Sequence, residues 1–146
     1  MSEEKVKQSG VKPLARIVNY ADAEIEPVDF SIAPQYATKK VLQKAGLKIS
    51  DIDYFEYNEA FSVVALANMK LLDIGEDRVN LHGGAVAMGH PIGMSGARIV
   101  QSLLTVMRNR GGKYGLAAIC NGGGGSTAMI IENLQTKWSF VYLSYA

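Results

Sequence analysis

Tyr114-Gly115-Leu116-Ala117-Ala118-Ile119-Cys120, followed by Asn121 and the four glycines Gly122 to Gly125, then Ser126-Thr127-Ala128-Met129-Ile130-Ile131-Glu132, decides the fold class of this 146-residue chain. The first run is short, apolar and bounded by glycine, which reads as a buried strand. The glycines make a tight turn, and the second run reads as the neighbouring strand. Just upstream, Ile99, Leu103, Val106 and Met107 recur at helical spacing, with Ser95 placed to cap that helix and Gly111 and Gly112 to end it. Further out, Phe61 to Leu72 reads as a helix with Val64, Leu66, Ala67 and Leu71 on a broad apolar face and Gly75 closing it. Asp53 to Tyr57 reads as a strand. Before it, Pro34 suits the start of a helix whose face carries Ala37, Val41, Leu42 and Ala45, with Gly46 as its stop. Pro27 to Ile32 reads as extended, Ala15 to Tyr20 as a short strand, and the first residues as a helix broken by Gly10 and Pro13. Between Val79 and Gly96 the glycine-rich stretch fits no regular element. This alternation predicts an α/β fold with a central mixed β-sheet flanked by helices.

Composition narrows the function. With 48% hydrophobic residues the chain can bury the core of one domain. A formal net charge of +1, scattered along the chain, gives no reason to expect nucleic acid or an anionic membrane as partner. No apolar run is long enough for a membrane span, and neither terminus reads as a targeting address. Cys120 is the single cysteine, so an intrachain disulfide or a Cys/His metal motif is out of reach.

Three segments carry chemistry. Asn58-Glu59-Ala60-Phe61 lies at a strand-to-helix junction, where an amide can hold a water or a substrate oxygen without titrating; Asn58 could equally be a plain helix cap. Gly83-Gly84-Ala85-Val86-Ala87-Met88-Gly89-His90-Pro91-Ile92-Gly93-Met94-Ser95-Gly96 surrounds one histidine with five glycines, so the backbone can pass close to a ligand beside a proton-moving side chain. The bland alternative is a structural loop with a surface histidine. His82, outside this setting, reads as a packing or surface residue. Cys120-Asn121-Gly122-Gly123-Gly124-Gly125-Ser126 sets a thiol at a strand end among exposed amides, which can favour the thiolate and can donate to an acyl oxygen. A buried, inert cysteine is the alternative. No Lys-Ser/Thr ending makes a Walker loop, and the glycines lead into a strand rather than a helix, against a dinucleotide fingerprint.

In this order, NEAF (58–61), GGAVAMGHPIGMSGAR (83–98) and CNGGGGS (120–126) resemble the C-terminal signatures of the thiolases, and the similarity runs from about residue 3 to about Glu132. GMSGARIV, with IAPQYA upstream, is most like the short-chain biosynthetic branch, the acetyl-CoA C-acetyltransferases. The resemblance implies reversible Claisen condensation of two acetyl-CoA to acetoacetyl-CoA and CoA. It implies that His90 activates a nucleophilic cysteine and, with Asn58 through a water, polarises the thioester oxygen. Cys120 becomes the acid/base, Gly122 offers its N–H to an oxyanion, and Phe61 walls the acyl pocket. The carbonyl of Val86 corresponds to a ligand of a potassium ion in one mitochondrial subtype. No other cofactor is implied; coenzyme A enters as the thioester substrate. Developing enolate charge explains why preorganised donors and a base tuned near working pH are needed.

In the family the nucleophilic cysteine belongs to a preceding, similar half, and no residue of this chain corresponds to it. The expected organisation is therefore a remnant of that half over 1–14, the C-terminal domain over 15–132, and an atypical apolar tail over 133–146 containing Trp138, Phe140, Val141, Tyr142 and Leu143. The chain is expected to be inactive alone and to need a thiolase N-terminal half or a homo-oligomer as partner. By resemblance it would work in mitochondria or cytoplasm. Two other readings are open: a non-catalytic module that binds thiolase subunits, and a hydrolase in which Cys120, His90 and Asn58 form a triad.

Overall fold

The computed structural model describes residues 1–135. Its elements are α1 (Glu3–Ser9), β1 (Ala15–Glu24), a 3₁₀ turn (Pro27–Ile32), α2 (Ala33–Ala45), β2 (Tyr54–Tyr57), α3 (Ser62–Leu72), α4 (Ala85–Met88), α5 (Ser95–Arg110), β3 (Tyr114–Cys120) and β4 (Gly125–Asn133). One four-stranded sheet runs in the order β1-β4-β3-β2, antiparallel except for the parallel β2–β3 pair. The expected mixed sheet is thus present. The apolar tail lies outside the described residues, save for Asn133, Leu134 and Gln135.

Period-two alternation divides the core between two faces of the sheet. Leu116, Ala118, Ala128 and Ile130 face α2, where Ala37, Val41 and Leu42 are buried against Phe55 and Tyr57. Ala117 and Ile131 point to the opposite face and pack on Ile99, Leu103 and Met107 of α5. The result is a three-layer helix–sheet–helix sandwich with Gly115 at the closest approach. A Cβ there would run into the Met107 sulfur and the Leu103 side chain.

Several local readings are corrected. Pro27–Ile32 is a 3₁₀ turn and not extended. Val28, Phe30 and Ile32 mimic a strand period, yet Val28 is 85% exposed, and the chain here must reverse from β1 into α2. β1 continues to Glu24, four residues past the expected end, because Asp22 is held across the sheet by the Thr127 hydroxyl at 2.6 Å. α3 ends at Asp73 in a left-handed conformation, before Gly75. Its Leu66 and Leu71 face outward, while Asn68 is buried and donates to the Ser31 carbonyl at 2.9 Å. Ser95 is the first residue inside α5 and does not cap it. The glycine-rich stretch includes one short helical turn, α4.

Both sheet edges are occupied by side chains. Along β1, Lys40 Nζ donates to the Asp22 carbonyl at 2.7 Å and Lys44 Nζ to the Tyr20 carbonyl at 2.8 Å. Beside β2, Asn80 behaves like a piece of strand: its Oδ1 accepts from Tyr57 N–H and its Nδ2 donates to Tyr57 C=O, each at 2.9 Å. Asn80 sits at φ 49°, a conformation asparagine tolerates better than most residues.

Candidate active site

The site forms where the ends of β2 and β3 meet the loop that feeds α5. Past β2 the chain stays in register for one more residue, Asn58 N–H donating to the Ala118 carbonyl at 3.0 Å. Asn58 is fully buried and does not cap α3, whose N-cap is Phe61. The next residue, Glu59, clamps the glycine loop. Its carboxylate accepts from Val86 N–H and from Asn80 Nδ2, both at 3.0 Å. Gly84 leaves room for that carboxylate, which a Cβ would displace from its two bonds.

The clamped loop turns at Gly89 (φ 86°) and presents His90. His90 Nε2 lies 3.3 Å from Asn58 Nδ2, and His90 Nδ1 lies 2.6 Å from Ser95 Oγ. Ser95 is fully buried and its hydroxyl donates to the Pro91 carbonyl at 3.1 Å. From α5, Arg98 donates through Nη2 to Asn58 Oδ1 at 3.3 Å. Glu56, on the α5 face of β2, is 1% exposed, and neither carboxylate oxygen has a hydrogen-bond partner among the described residues. Burial pushes its carboxyl up to about 8, opposed by the Arg98 charge and reinforced by Glu59.

Cys120 ends β3 and pairs across the hairpin with Ser126. Asn121 shapes the glycine turn, its Oδ1 accepting from Gly123 N–H at 2.9 Å and Gly125 N–H at 3.3 Å. Gly124, at φ 86°, presses against the Ile25 carbonyl, where a Cβ would collide. The Gly122 N–H is left without a partner among the described residues, and it is exposed. The expectation that exposed amides would favour a Cys120 thiolate is corrected. Burial raises the thiol above its ordinary value and outweighs the lowering from a backbone hydrogen bond. As placed, Cys120 is a proton-bearing thiol.

His90, Cys120, Gly122 and Phe61 line one cavity of about 460 Å³. Phe30 and Ile92 join them, neither anticipated from the sequence. Phe30 meets Phe61 edge-on at 6.0 Å between ring centroids, and the Asn68–Ser31 bond holds its turn against α3. Asn58 does not line the cavity but stands behind His90. Val86 lies apart, on α4 beside Glu59, with its side chain 68% exposed. Its carbonyl accepts no hydrogen bond among the described residues. No group of three or more His, Cys, Asp or Glu side chains that could hold a metal ion occurs among the described residues. His82 is exposed. Among the described residues no helix is long and apolar enough to cross a membrane. Sequence reasoning missed Glu56, Glu59, Ser95 and Arg98 as parts of the site, although Ser95 and Arg98 sit inside the quoted glycine motif.

This is a thiol–imidazole site on an α/β domain, with a free N–H beside the thiol. The chain belongs to the thiolase family: the description "Thiolase, C-terminal domain" matches residues 11–133. A probable acetyl-CoA acetyltransferase of Dictyostelium discoideum is 58% identical over 134 residues, 92% of this chain and 32% of that protein. The mitochondrial acetyl-CoA acetyltransferase of Bos taurus is also 58% identical, over 92% of this chain and 31% of its own length. The crystal structure of the Bacillus anthracis acetyl-CoA acetyltransferase superposes with a TM-score of 0.89 at 46% identity, covering 92% of this chain and 34% of that one. The Acat5 thiolase of Ascaris suum, crystallised in complex with coenzyme A, gives 0.87 at 47% identity, over 91% and 34%. The chain thus spans about a third of the length of these relatives.

Proposed function

We propose that this chain is the C-terminal catalytic part of an acetyl-CoA C-acetyltransferase, working on acyl-CoA thioesters once a thiolase N-terminal half supplies the nucleophilic cysteine. The observation that carries the reading is the convergence of Cys120, His90, the Gly122 N–H and Phe61 on one cavity, with Asn58 bonded behind His90. In the first half-reaction His90 takes the proton of the incoming cysteine thiol. The thiolate attacks the thioester carbonyl of one acetyl-CoA, and coenzyme A leaves as its thiol by taking the proton of Cys120, which becomes the thiolate. In the second, the Cys120 thiolate removes an α-proton from another acetyl-CoA, and the enolate oxygen is held by protonated His90 and, through a water, by Asn58. The carbanion attacks the acyl-cysteine, giving acetoacetyl-CoA and returning the nucleophile. Gly122 N–H meets an oxyanion that forms along the way; no protein group among the described residues competes for it. In thiolysis the same steps reverse, and a thiol that burial keeps protonated is suited to donate its proton. Where a potassium ion is used, Val86 would lend its carbonyl and the other ligands would come from the completing half.

The test is co-expression with a thiolase N-terminal half and assay of acetoacetyl-CoA thiolysis. The complex is expected to be active and the chain alone inactive. Cys120→Ala in the complex should lower the rate by about 10²–10⁴-fold, the usual weight of a general acid/base. A folded, stable complex without thiolysis would defeat the catalytic reading in favour of an interaction module that binds thiolase subunits. Activity of the chain alone, lost with Cys120→Ala, would defeat the half-enzyme reading.

A further inference from the structure

Arginine can only donate hydrogen bonds, and a backbone carbonyl can only accept them. The first of these fixes the protons of the site, starting from Arg98. Arg98 Nη2 faces the Asn58 amide at 3.3 Å, so the oxygen of that amide must point to Arg98 and its NH₂ to His90. His90 Nε2, facing a donor, must accept and so carries a lone pair. At the other end, Ser95 Oγ lies 3.1 Å from the Pro91 carbonyl, which also accepts from Met94 N–H at 2.8 Å and Ser95 N–H at 2.9 Å. With a lone pair on Nε2, a neutral ring carries its proton on Nδ1, and Ser95 Oγ at 2.6 Å is there to accept it. The Arg98 end thus gives neutral His90 with its proton on Nδ1, and the Ser95 end accommodates it. The ends of this relay are among the least exposed polar groups of the chain, Ser95 at 0% and Arg98 at 9%.

We infer that Ser95 and Arg98 are positioning residues that hold His90 in the Nδ1–H tautomer and leave Nε2 as the free base nitrogen. The inference rests on the reading of His90 as the base of this site. Arg98 acts at one remove, by choosing which way the Asn58 amide points. Ser95 acts directly on the ring. The 3.3 Å contact from Asn58 is long, so Nε2 is steered without being tightly engaged. A loop histidine between Gly89 and Pro91 would otherwise be free to turn its ring and exchange tautomers.

The chain has two histidines, so His82→Gln leaves His90 as the single imidazole in the protein. With that ¹⁵N-labelled full chain, long-range ¹H–¹⁵N correlations at mildly alkaline pH report which ring nitrogen carries the proton. Nδ1–H with bare Nε2 is expected. Ser95→Ala and Arg98→Met should each move His90 to the Nε2–H tautomer or to a mixture, and Ser95→Thr, which keeps the hydroxyl, should retain Nδ1–H. A merely structural role would lower stability and leave the tautomer in place. Should the Arg98 variant fail to fold, the unsubstituted imidazole still decides: a resting Nε2–H form overturns the inference. So do folded Ser95→Ala or Arg98→Met chains with an unchanged tautomer. No acyl-CoA is involved, so thiolysis can fail in the reconstituted complex while the tautomer stands, or the reverse.

Discussion

Glu56 is an acid placed where its charged form is expensive. It lies under α5, 1% exposed, and its carboxyl is pushed up to about 8 mainly by burial. The folded chain therefore holds a proton that the unfolded chain, at its ordinary value of 4.5, releases. Between 4.5 and about 8 the native state binds more protons than the unfolded one, so stability falls as pH rises and then levels off. The slope from this one group approaches about 1.4 kcal/mol per pH unit inside that window. Glu56→Gln removes it. Urea denaturation across the window should show a flatter pH dependence for the variant than for the parent, and the variant should be the more stable near neutrality. Equal slopes would mean that Glu56 ionises in the fold as readily as in water. Nothing in the sequence announced this acid: the run Asp53-Tyr54-Phe55-Glu56-Tyr57 is an ordinary strand pattern, and only the arrival of α5 over the strand buries it. Cys120, Asn58 and His90 were legible because each sits in a motif whose glycines or neighbours have few other uses. Ser95 and Arg98 were printed inside one of those motifs, but their role depends on donor directions that spacing does not encode.

At the scale of elements, the Asn80 side chain substitutes for a strand. Its two bonds to the Tyr57 backbone, together with its own N–H to the Phe55 carbonyl at 3.0 Å, finish the free edge of β2 just ahead of Asn58. Asn80→Gly keeps the left-handed backbone but leaves Tyr57 N–H and C=O without partners. Equilibrium denaturation should register a loss of about 2–4 kcal/mol, the weight of two orphaned backbone groups in a buried setting. A loss below about 0.5 kcal/mol would show that water serves Tyr57 as well as asparagine does. Elements with strong helical or alternating patterns, α2, α5, β3 and β4, were readable because one face of each meets a neighbour within the described residues. α3 was readable as a helix but not in orientation. Its sequence is apolar all round, and the outward-facing Leu66 and the inward-facing Asn68 reverse what hydrophobicity alone assigns. The 3₁₀ turn at Pro27–Ile32 failed for a related reason, its alternate apolar residues serving a reversal instead of a sheet.

At the scale of the molecule, the exposed apolar residues among the described ones fall in more than one place: Met1, Ile17 and Leu134 lie together beside β1, and another group borders the site. Phe61 and Ile92 border the cavity that holds His90 and Cys120, and Leu66 and Val86 border the hollow next to it, under Glu59. The chain spans about a third of its relatives' length, and this is the surface expected to meet a thiolase N-terminal half. Leu66→Glu, at a site 60% exposed, should change the stability of the chain alone by no more than about 0.5 kcal/mol. In co-purification it should lower recovery of the reconstituted complex at least tenfold. Undiminished recovery would place the contact elsewhere. The sheet margins bear on how the chain can aggregate. Lysine amines sit on the Tyr20 and Asp22 carbonyls of β1, and Asn80 finishes β2 at Tyr57, so both margins carry obstacles to a foreign strand. Aggregates of the isolated chain should therefore grow as amorphous clumps through exposed apolar side chains rather than as cross-β fibres.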